Sequence, residues 1–263
     1  MRAFKFYAPL GFILLLILAA FFAPLLPYDP NAVDISNKFA PSSLAHPLGT
    51  DHLGRDVLTR LIYGARLSLS AVVLIFACIL SLSFVVGFVA GYKGGLFDSV
   101  LMRICDVFFA FPTFILALFF IAIFGVGLSN VILAIAFTHW AYYARLIRCL
   151  VLERKNEGFV RASIALGSSG WRVVFRHILP FVLAQISVLI SLDIGHMLLH
   201  IAGLSFLGLG VRAPNAEWGV VINDGAAFVM SEPAVMIYAG LAIFLSVAAF
   251  NLFGEALQDR LGR

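Results

Sequence analysis

The sequence predicts an all-α, polytopic integral membrane protein with six transmembrane helices. Of its 263 residues, 62% are hydrophobic and only 12% are charged. The mean hydropathy of +1.02 lies well outside the range of soluble domains, so lipid is the solvent for most of the chain. Six apolar runs, at about 7–26, 67–91, 99–124, 128–150, 181–207 and 233–253, approach the roughly 20 residues needed to cross a bilayer core. The net charge of +4 comes without a dense basic run interleaved with aromatics, so the charges are expected to set topology and not to bind nucleic acid. Cys78, Cys105 and Cys149 fall in or beside apolar runs and form no C-x-x-C pair, which fits small buried hydrophobes.

The first run follows Arg2 and Lys5. Its length and the lack of an A-x-A cleavage pattern favour a retained N-terminal transmembrane helix within 1–27 over a signal peptide. Residues 28–66 turn polar, are punctuated by Pro30, Pro41 and Pro47, and end in "GTDHLGRDVLTRLIYGAR", the pattern of an extracytoplasmic loop leading into an amphipathic helix. Asp51, His52 and Asp56 invite a metal reading, but acids at a helix start are most often caps. The remaining spans occupy 67–263. In the third, Arg103 and Asp106 at i, i+3 are expected to pair along one helix.

Positive charge orients the chain. Arg2, Lys5, Lys93, Arg103, Arg145, Arg148, Arg154, Lys155, Arg161, Arg172, Arg176, Arg260 and Arg263 fall on one side, against Lys38, Arg55, Arg60, Arg66 and Arg212 on the other. Both termini are therefore expected in the cytoplasm, together with the loop at about 153–180. In that loop a helical pattern runs from Asn156 to Leu166, with Glu157 four residues before Arg161 in the favourable order. Gly167 suits a helix C-cap, and Ser168-Ser169 can cap a second short helix, "WRVVFR", with an apolar and a basic face. Pro180 opens the next span, where its missing N–H costs nothing. On physics alone this helix-turn-helix is equally an interfacial device whose arginines meet anionic headgroups.

Ionisable groups inside spans are expensive, and usually face a bundle interior or a water-filled path. Asp193, His196 and His200 lie in "LDIGHMLLH" within roughly 60° of one another on one helix face. His139 stands in the preceding span, in "THWAYYAR". An interhelical hydrogen-bond cluster and a translocation path are both open readings of this set. "SFLGLG", with Gly208 and Gly210, follows a span and not a strand, so close packing or a loop fits it better than a dinucleotide fingerprint. No G-x-x-x-x-G-K-[ST] phosphate loop occurs, so any ATP hydrolysis must belong to another chain.

The successive stretches "GTDHLGRDVLTRLIYGAR", "GGLFDSVLMRICDVFFAFP", "YYARLIR", "RASIALG…HILP", "LSFLGLGVRAPNAEWGVVINDG" and "FNLFGEALQDRL" resemble the ordered signatures of binding-protein-dependent ABC importer permeases. The class resembled is that for dipeptides, oligopeptides and nickel, and the nickel branch most. The resemblance implies a subunit that is not itself an enzyme, in the bacterial cytoplasmic (inner) membrane. Its implied partners are a homologous second permease, two cytoplasmic ATPase subunits that hold the ATP and Mg, and an extracytoplasmic solute-binding protein. No cofactor is expected on this chain.

The resemblance also makes the cytoplasmic loop a coupling helix between the fourth and fifth spans, carried by Arg161, Ala162, Ser163, Gly167, Trp171, Arg172, Arg176 and Pro180. Where the family's loop usually begins Glu-Ala-Ala, this chain reads Arg161-Ala162-Ser163, so either Glu157 or an acid on the ATPase supplies the missing charge. Arg212, Glu217 and Asp224 are the expected outer-face contacts with the binding protein. His139, Asp193, His196 and His200 are the expected translocation path. Neutral imidazole suits nickel, and His196 with His200 at i, i+4 could touch it transiently. The expected cargo is nickel, free or chelated, with di- or oligopeptides as the alternative. A rival from another class is a proton-driven secondary transporter using Asp193 and the histidines as relays; the coupling loop argues against it.

Overall fold

A computed structural model describes residues 2–261. Its regular elements are helical apart from one Thr50–Asp56 bridge. The longer helices are α1 (Arg2–Phe22), α2 (Val57–Lys93), α3 (Gly95–Phe109), α4 (Thr113–Phe124) and α5 (Leu128–Lys155). They are followed by α6 (Gly158–Ala165), α7 (Gly170–Val173), a π turn (Val174–Ile178), α8 (Leu179–Phe206), α9 (Trp218–Ala226) and α10 (Ala234–Leu261).

Among the described residues, four helical stretches are long and apolar enough to cross a membrane: Lys5–Leu25, Val57–Lys93, Gly170–Phe206 and Ala234–Arg260. The third expected span is instead two helices, α3 and α4, bent by 90° about Ala110–Pro112; counted together they make a fifth. Pro112 explains the break, since it has no N–H for the ladder and biases the residue before it away from helix. Helix α5, at 28 residues, has the length but not the apolarity, because His139, Arg145 and Arg148 interrupt it. Its neighbours account for that composition: α2, α3, α4 and α8 all pack on α5, so its polar groups meet protein and not hydrocarbon.

Two expected breaks are absent. The amphipathic stretch 57–66 and the span after it form one 37-residue helix, α2, about 55 Å long at 1.5 Å per residue. Its start is fixed by Asp56, whose carboxylate accepts from the Thr59 amide at 2.8 Å, as the capping reading requires. The second is at Pro180, where Gly170–Phe206 is continuous. Pro180 cannot bond back to Arg176, and the backbone answers by widening into the π turn, with the Leu179 N–H bonding Val174 O.

The bundle is held at its centre by α2 on α5. Ser83, Gly87 and Gly91 are spaced by four along one face of α2, and the Ser83 hydroxyl donates to Trp140 O at 2.8 Å. A Cβ on Gly87 would stand 2.4 Å from Ala144 O, and one on Gly91 2.9 Å from Arg148 O. Small residues at this spacing let two backbones approach where lipid supplies no hydrophobic drive to bring helices together. Around this pair, α8 packs on α10, and α1 leans against α10 and α2.

Candidate functional site

Where the α3–α4 bend, α5 and α8 meet, they enclose an open cavity of about 380 Å³. Phe108, Phe109 and Phe111 line it from the bend, His139 and Tyr142 from α5, and Asp193, His196 and His200 from α8. The four ionisable residues expected to form a path are thus brought together. Tyr143, fully buried on α5, donates its hydroxyl to Asp193 Oδ2 at 2.7 Å. The other carboxylate oxygen, Oδ1, lies 3.1 Å from His196 Nδ1. His200 Nδ1 donates to His196 O at 2.8 Å and His139 Nδ1 to Ile135 O at 2.9 Å, because a carbonyl oxygen can only accept. The His200 ring turns to His139, with centroids 5.2 Å apart at 89°, and not to His196. Among the described residues, no three His, Cys, Asp or Glu side chains are arranged to hold a metal ion.

The 153–180 segment presents a second surface. Helix α6 ends in a Schellman motif: Gly167, at φ +85°, donates to Ile164 O at 2.9 Å and Ser168 to Ser163 O at 3.1 Å. Ser169 sits at the N-cap of α7 but makes no capping hydrogen bond. Val160, Val173 and Ile178 are buried. Arg161, Trp171, Arg172 and Arg176 are exposed, with Trp171 stacked on Phe175 at 5.2 Å. The expected Glu157–Arg161 pair does not form; Arg161 Nη2 donates to Asn156 Oδ1 at 3.1 Å. Asp106 likewise pairs with Arg145 across to α5 and not with Arg103 along its own helix, and so joins α3 to α5.

The opposite end corrects the reading of the outer charges. Glu217 is fully buried: it accepts from Ser68 Oγ at 2.8 Å and caps α9 through the Gly219 amide at 2.7 Å. Burial pushes its carboxyl above the usual range, against those hydrogen bonds. Asp224 is no rim charge either. Its Oδ2 accepts from Arg55 Nη2 and Arg60 Nη2, both at 2.8 Å, while Arg55 Nε donates to Asp51 at 2.7 Å. Arg60 Nη1 adds Pro30 O at 3.0 Å and Pro214 O at 3.3 Å. Two arginines and two aspartates thus lock the 28–56 segment to α2, to α9 and to the loop before α9. Only Arg212 of the expected contact set is exposed, with its Nε donating to Gly208 O at 3.2 Å.

Residues 83–263 match the family model described as the binding-protein-dependent transport system inner membrane component. The chain belongs to that permease family. It is 49% identical, over 90% of its own length and 85% of the relative's, to the nickel transport system permease protein NikC of Escherichia coli (strain K12). It is 44% identical over 95% of its length, and 86% of the relative's, to the metal-staphylopine import system permease protein CntC of Staphylococcus aureus (strain NCTC 8325 / PS 47). The glutathione transport system permease protein GsiD of Pectobacterium atrosepticum is 42% identical over 95% of the chain and 84% of that protein.

A permease of this family is a transport component of the inner membrane and not an enzyme, and it works with an ATPase, a partner permease and a binding protein. Three residues that hold these sites together escaped sequence reasoning: Tyr143, Arg55 and Arg60. Tyr143 drew no notice in "YYARLIR", although a phenol near the middle of a span needs a partner. Arg55 and Arg60 carried a signal in their spacing from Asp51 and Asp56, but it reads equally as surface charge on an amphipathic helix. The thiols follow expectation for Cys105, which is buried, while Cys149 is exposed on α5.

Proposed function

We propose that the chain is the permease subunit of an ATP-driven importer for nickel, free or chelated, and that with a homologous second permease it forms the path across the membrane. The observation that carries this reading is the cavity where His139, Asp193, His196 and His200 meet between α5 and α8. Neutral imidazoles are good donors for nickel, and intramembrane ionisable groups around a cavity mark cargo routes. The nickel and metal-staphylopine relatives support a metal cargo; the glutathione relative, at 42% identity, supports a small peptide as the second reading.

In this reading six spans cross the membrane, with α5 among them and the α3–α4 pair as one, and both termini face the cytoplasm. Segment 153–180 docks on one of two ATPase subunits, which bind ATP and Mg; this chain binds no cofactor. Exposed Trp171, Arg172, Arg176 and Arg161 supply the contact, Ala162 and Ser163 hold the turn, and Gly167 aims α7. Closure of the ATPases on ATP moves this segment and opens the path outward; hydrolysis resets it. On the outer side, exposed Arg212 contacts the binding protein, and Glu217 and Asp224 act by holding the loop that presents it. The test is a deletion strain complemented with this chain: cellular nickel measured by elemental mass spectrometry, against uptake of radiolabelled dipeptide and glutathione. Restored nickel with unchanged peptide uptake is expected. Restored peptide uptake without nickel overturns the metal reading.

A further inference from the structure

The nickel reading leaves open which groups hold the ion. Spacing along one helix points to His196 with His200, but each of these is otherwise engaged or aimed. His196 Nδ1 faces Asp193 Oδ1 at 3.1 Å, and its side chain is 69% exposed. His200 uses its Nδ1 on the His196 carbonyl and presents its ring to His139. His139 mirrors this arrangement from α5, with its Nδ1 on the Ile135 carbonyl. In both rings Nδ1 carries the proton, so in both Nε2 carries the free lone pair.

Two imidazoles ligating one divalent ion through metal–nitrogen bonds of about 2.0–2.1 Å hold their ring centroids about 4.5–5 Å apart. The observed separation is 5.2 Å, between rings on different helices. The same cavity supplies the room: about 380 Å³ is far more than a bare ion needs and leaves space for water or a chelator to complete the coordination. The absence of a third ligand among the described residues makes this a weak site, as a path that must release its cargo requires.

Resting on the nickel reading, we propose that His139 and His200 form a two-point contact for the divalent metal cargo, one imidazole from α5 and one from α8. A pair split between helices exists only while those helices keep their present separation. A pair on one helix would survive any rigid movement of that helix; this one is opened by a shift of α8 relative to α5 of about the length of one metal–nitrogen bond. Backbone acceptors one turn earlier fix both rings, so the contact is set by helix position and not by free side-chain rotation. Asp193, held by Tyr143, then acts beside the pair as a fixed negative charge that favours a cation in the cavity.

The experiment measures initial nickel uptake in cells carrying the whole transporter, with each variant checked for membrane abundance and copurification with its partner subunits. His139→Gln and His200→Gln each lower uptake at least about tenfold, the lower end of what losing even an outer-shell partner costs a metal site. The double variant falls no further than either single one, because one missing ligand already abolishes the two-point contact. His139→Cys and His200→Cys recover part of the uptake, since a thiolate ligates and a glutamine that only fills the space and hydrogen-bonds does not. An additive loss in the double variant, or loss in His196→Gln with normal uptake in His139→Gln, overturns the pairing while nickel transport itself stands. Normal nickel uptake in all of these variants overturns the proposal and the assignment of this cavity as the path, while nickel transport stands; no nickel uptake by the parent transporter overturns the nickel reading itself.

Discussion

Substituting Gly87 by alanine tests whether close backbone contact between α2 and α5 holds the bundle. The added Cβ would stand 2.4 Å from Ala144 O and 2.9 Å from Ile147 Cβ. A carbon–oxygen contact relaxes to about 3.3–3.6 Å, so the helices must part by about 1 Å. That stretches the 2.8 Å Ser83–Trp140 bond beyond hydrogen-bonding range and removes about 0.5–1.5 kcal/mol. Overpacking of the apolar contacts adds about 1–3 kcal/mol, and the helix gain from Gly to Ala returns about 1 kcal/mol. The net expectation is about 1–3 kcal/mol of destabilisation, or several degrees in melting temperature for a chain of this size. Gly91→Ala, at 2.9 Å from both Arg148 O and Val151 Cβ, needs a smaller movement and should destabilise less than Gly87→Ala. Gly240→Ala, with nothing within 4 Å, should stabilise by about 0.5–1 kcal/mol. Thermal unfolding of the detergent-solubilised chain measures the series. If Gly87→Ala melts alongside Gly240→Ala, close approach is not what positions α5.

At the outer end, Asp224→Asn leaves Arg55 and Arg60 with Asp51 as their one remaining carboxylate; breaking such a buried network costs about 3–5 kcal/mol and should expose 28–56 to limited proteolysis. A loss below about 1 kcal/mol would mean the network is solvated. Glu217 holds its proton more tightly folded than unfolded, so the chain should gain stability as pH falls through the raised native value towards 4.5 and lose it as pH rises back. Glu217→Gln keeps an acceptor for the α9 amides and should flatten that slope in pH-dependent unfolding; an unchanged slope assigns it elsewhere. Gly167→Pro forces φ from +85° to about −65°, and should abolish uptake while membrane insertion, read by fractionation, is retained; normal uptake would refute the aiming role of that turn.

Four of the expected spans, and a fifth as a bent pair, were legible because hydrophobic runs follow from the bilayer itself, and the Asp193–His200 cluster was legible because ionisable groups in such runs are costly. What the sequence concealed depends on partners distant in the chain. Arg55 and Arg60 read as amphipathic surface until Asp224, more than 160 residues away, folds onto both. Glu217 read as an outer-face contact because the resemblance placed its loop on the outer face; Ser68 on α2 takes it inside. Local rules also overstated punctuation. Pro112 does break its span, but Pro180 does not, since one backbone can absorb a missing N–H by a bend where neighbours are sparse and by a π turn where Val173, Ile178 and Val182 are packed. The face formed by Ser83, Gly87 and Gly91 stands out only once α5 lies against it, and it positions α5, and so His139, against α2.

The unbroken rod from Gly170 to Phe206 bears on how force would travel in the proposed importer. Had Pro180 ended a separate coupling helix, a push there could dissipate in a joint. As it stands, Trp171 and His200 are parts of one helical body, with about 45 Å of helix between them at 1.5 Å per residue. Arg154 braces the near end, with its guanidinium 4.7 Å over both Phe159 and Phe181, which ties α5 to the segment just past the π turn. A rigid rod pinned near one end tilts, and its far end moves most. His200 lies at that far end, whereas His139 rides on α5, which is locked to α2 by contacts too tight to slide. Any tilt of the rod would therefore change the separation of those two imidazoles, against the close packing of α9 on Ala202 that holds this far end. A one-residue deletion within 174–178 that restores α geometry rotates everything beyond it by about 100°, so it should abolish nickel uptake while the chain still inserts; normal uptake in that variant would refute the rod as the link between Trp171 and His200.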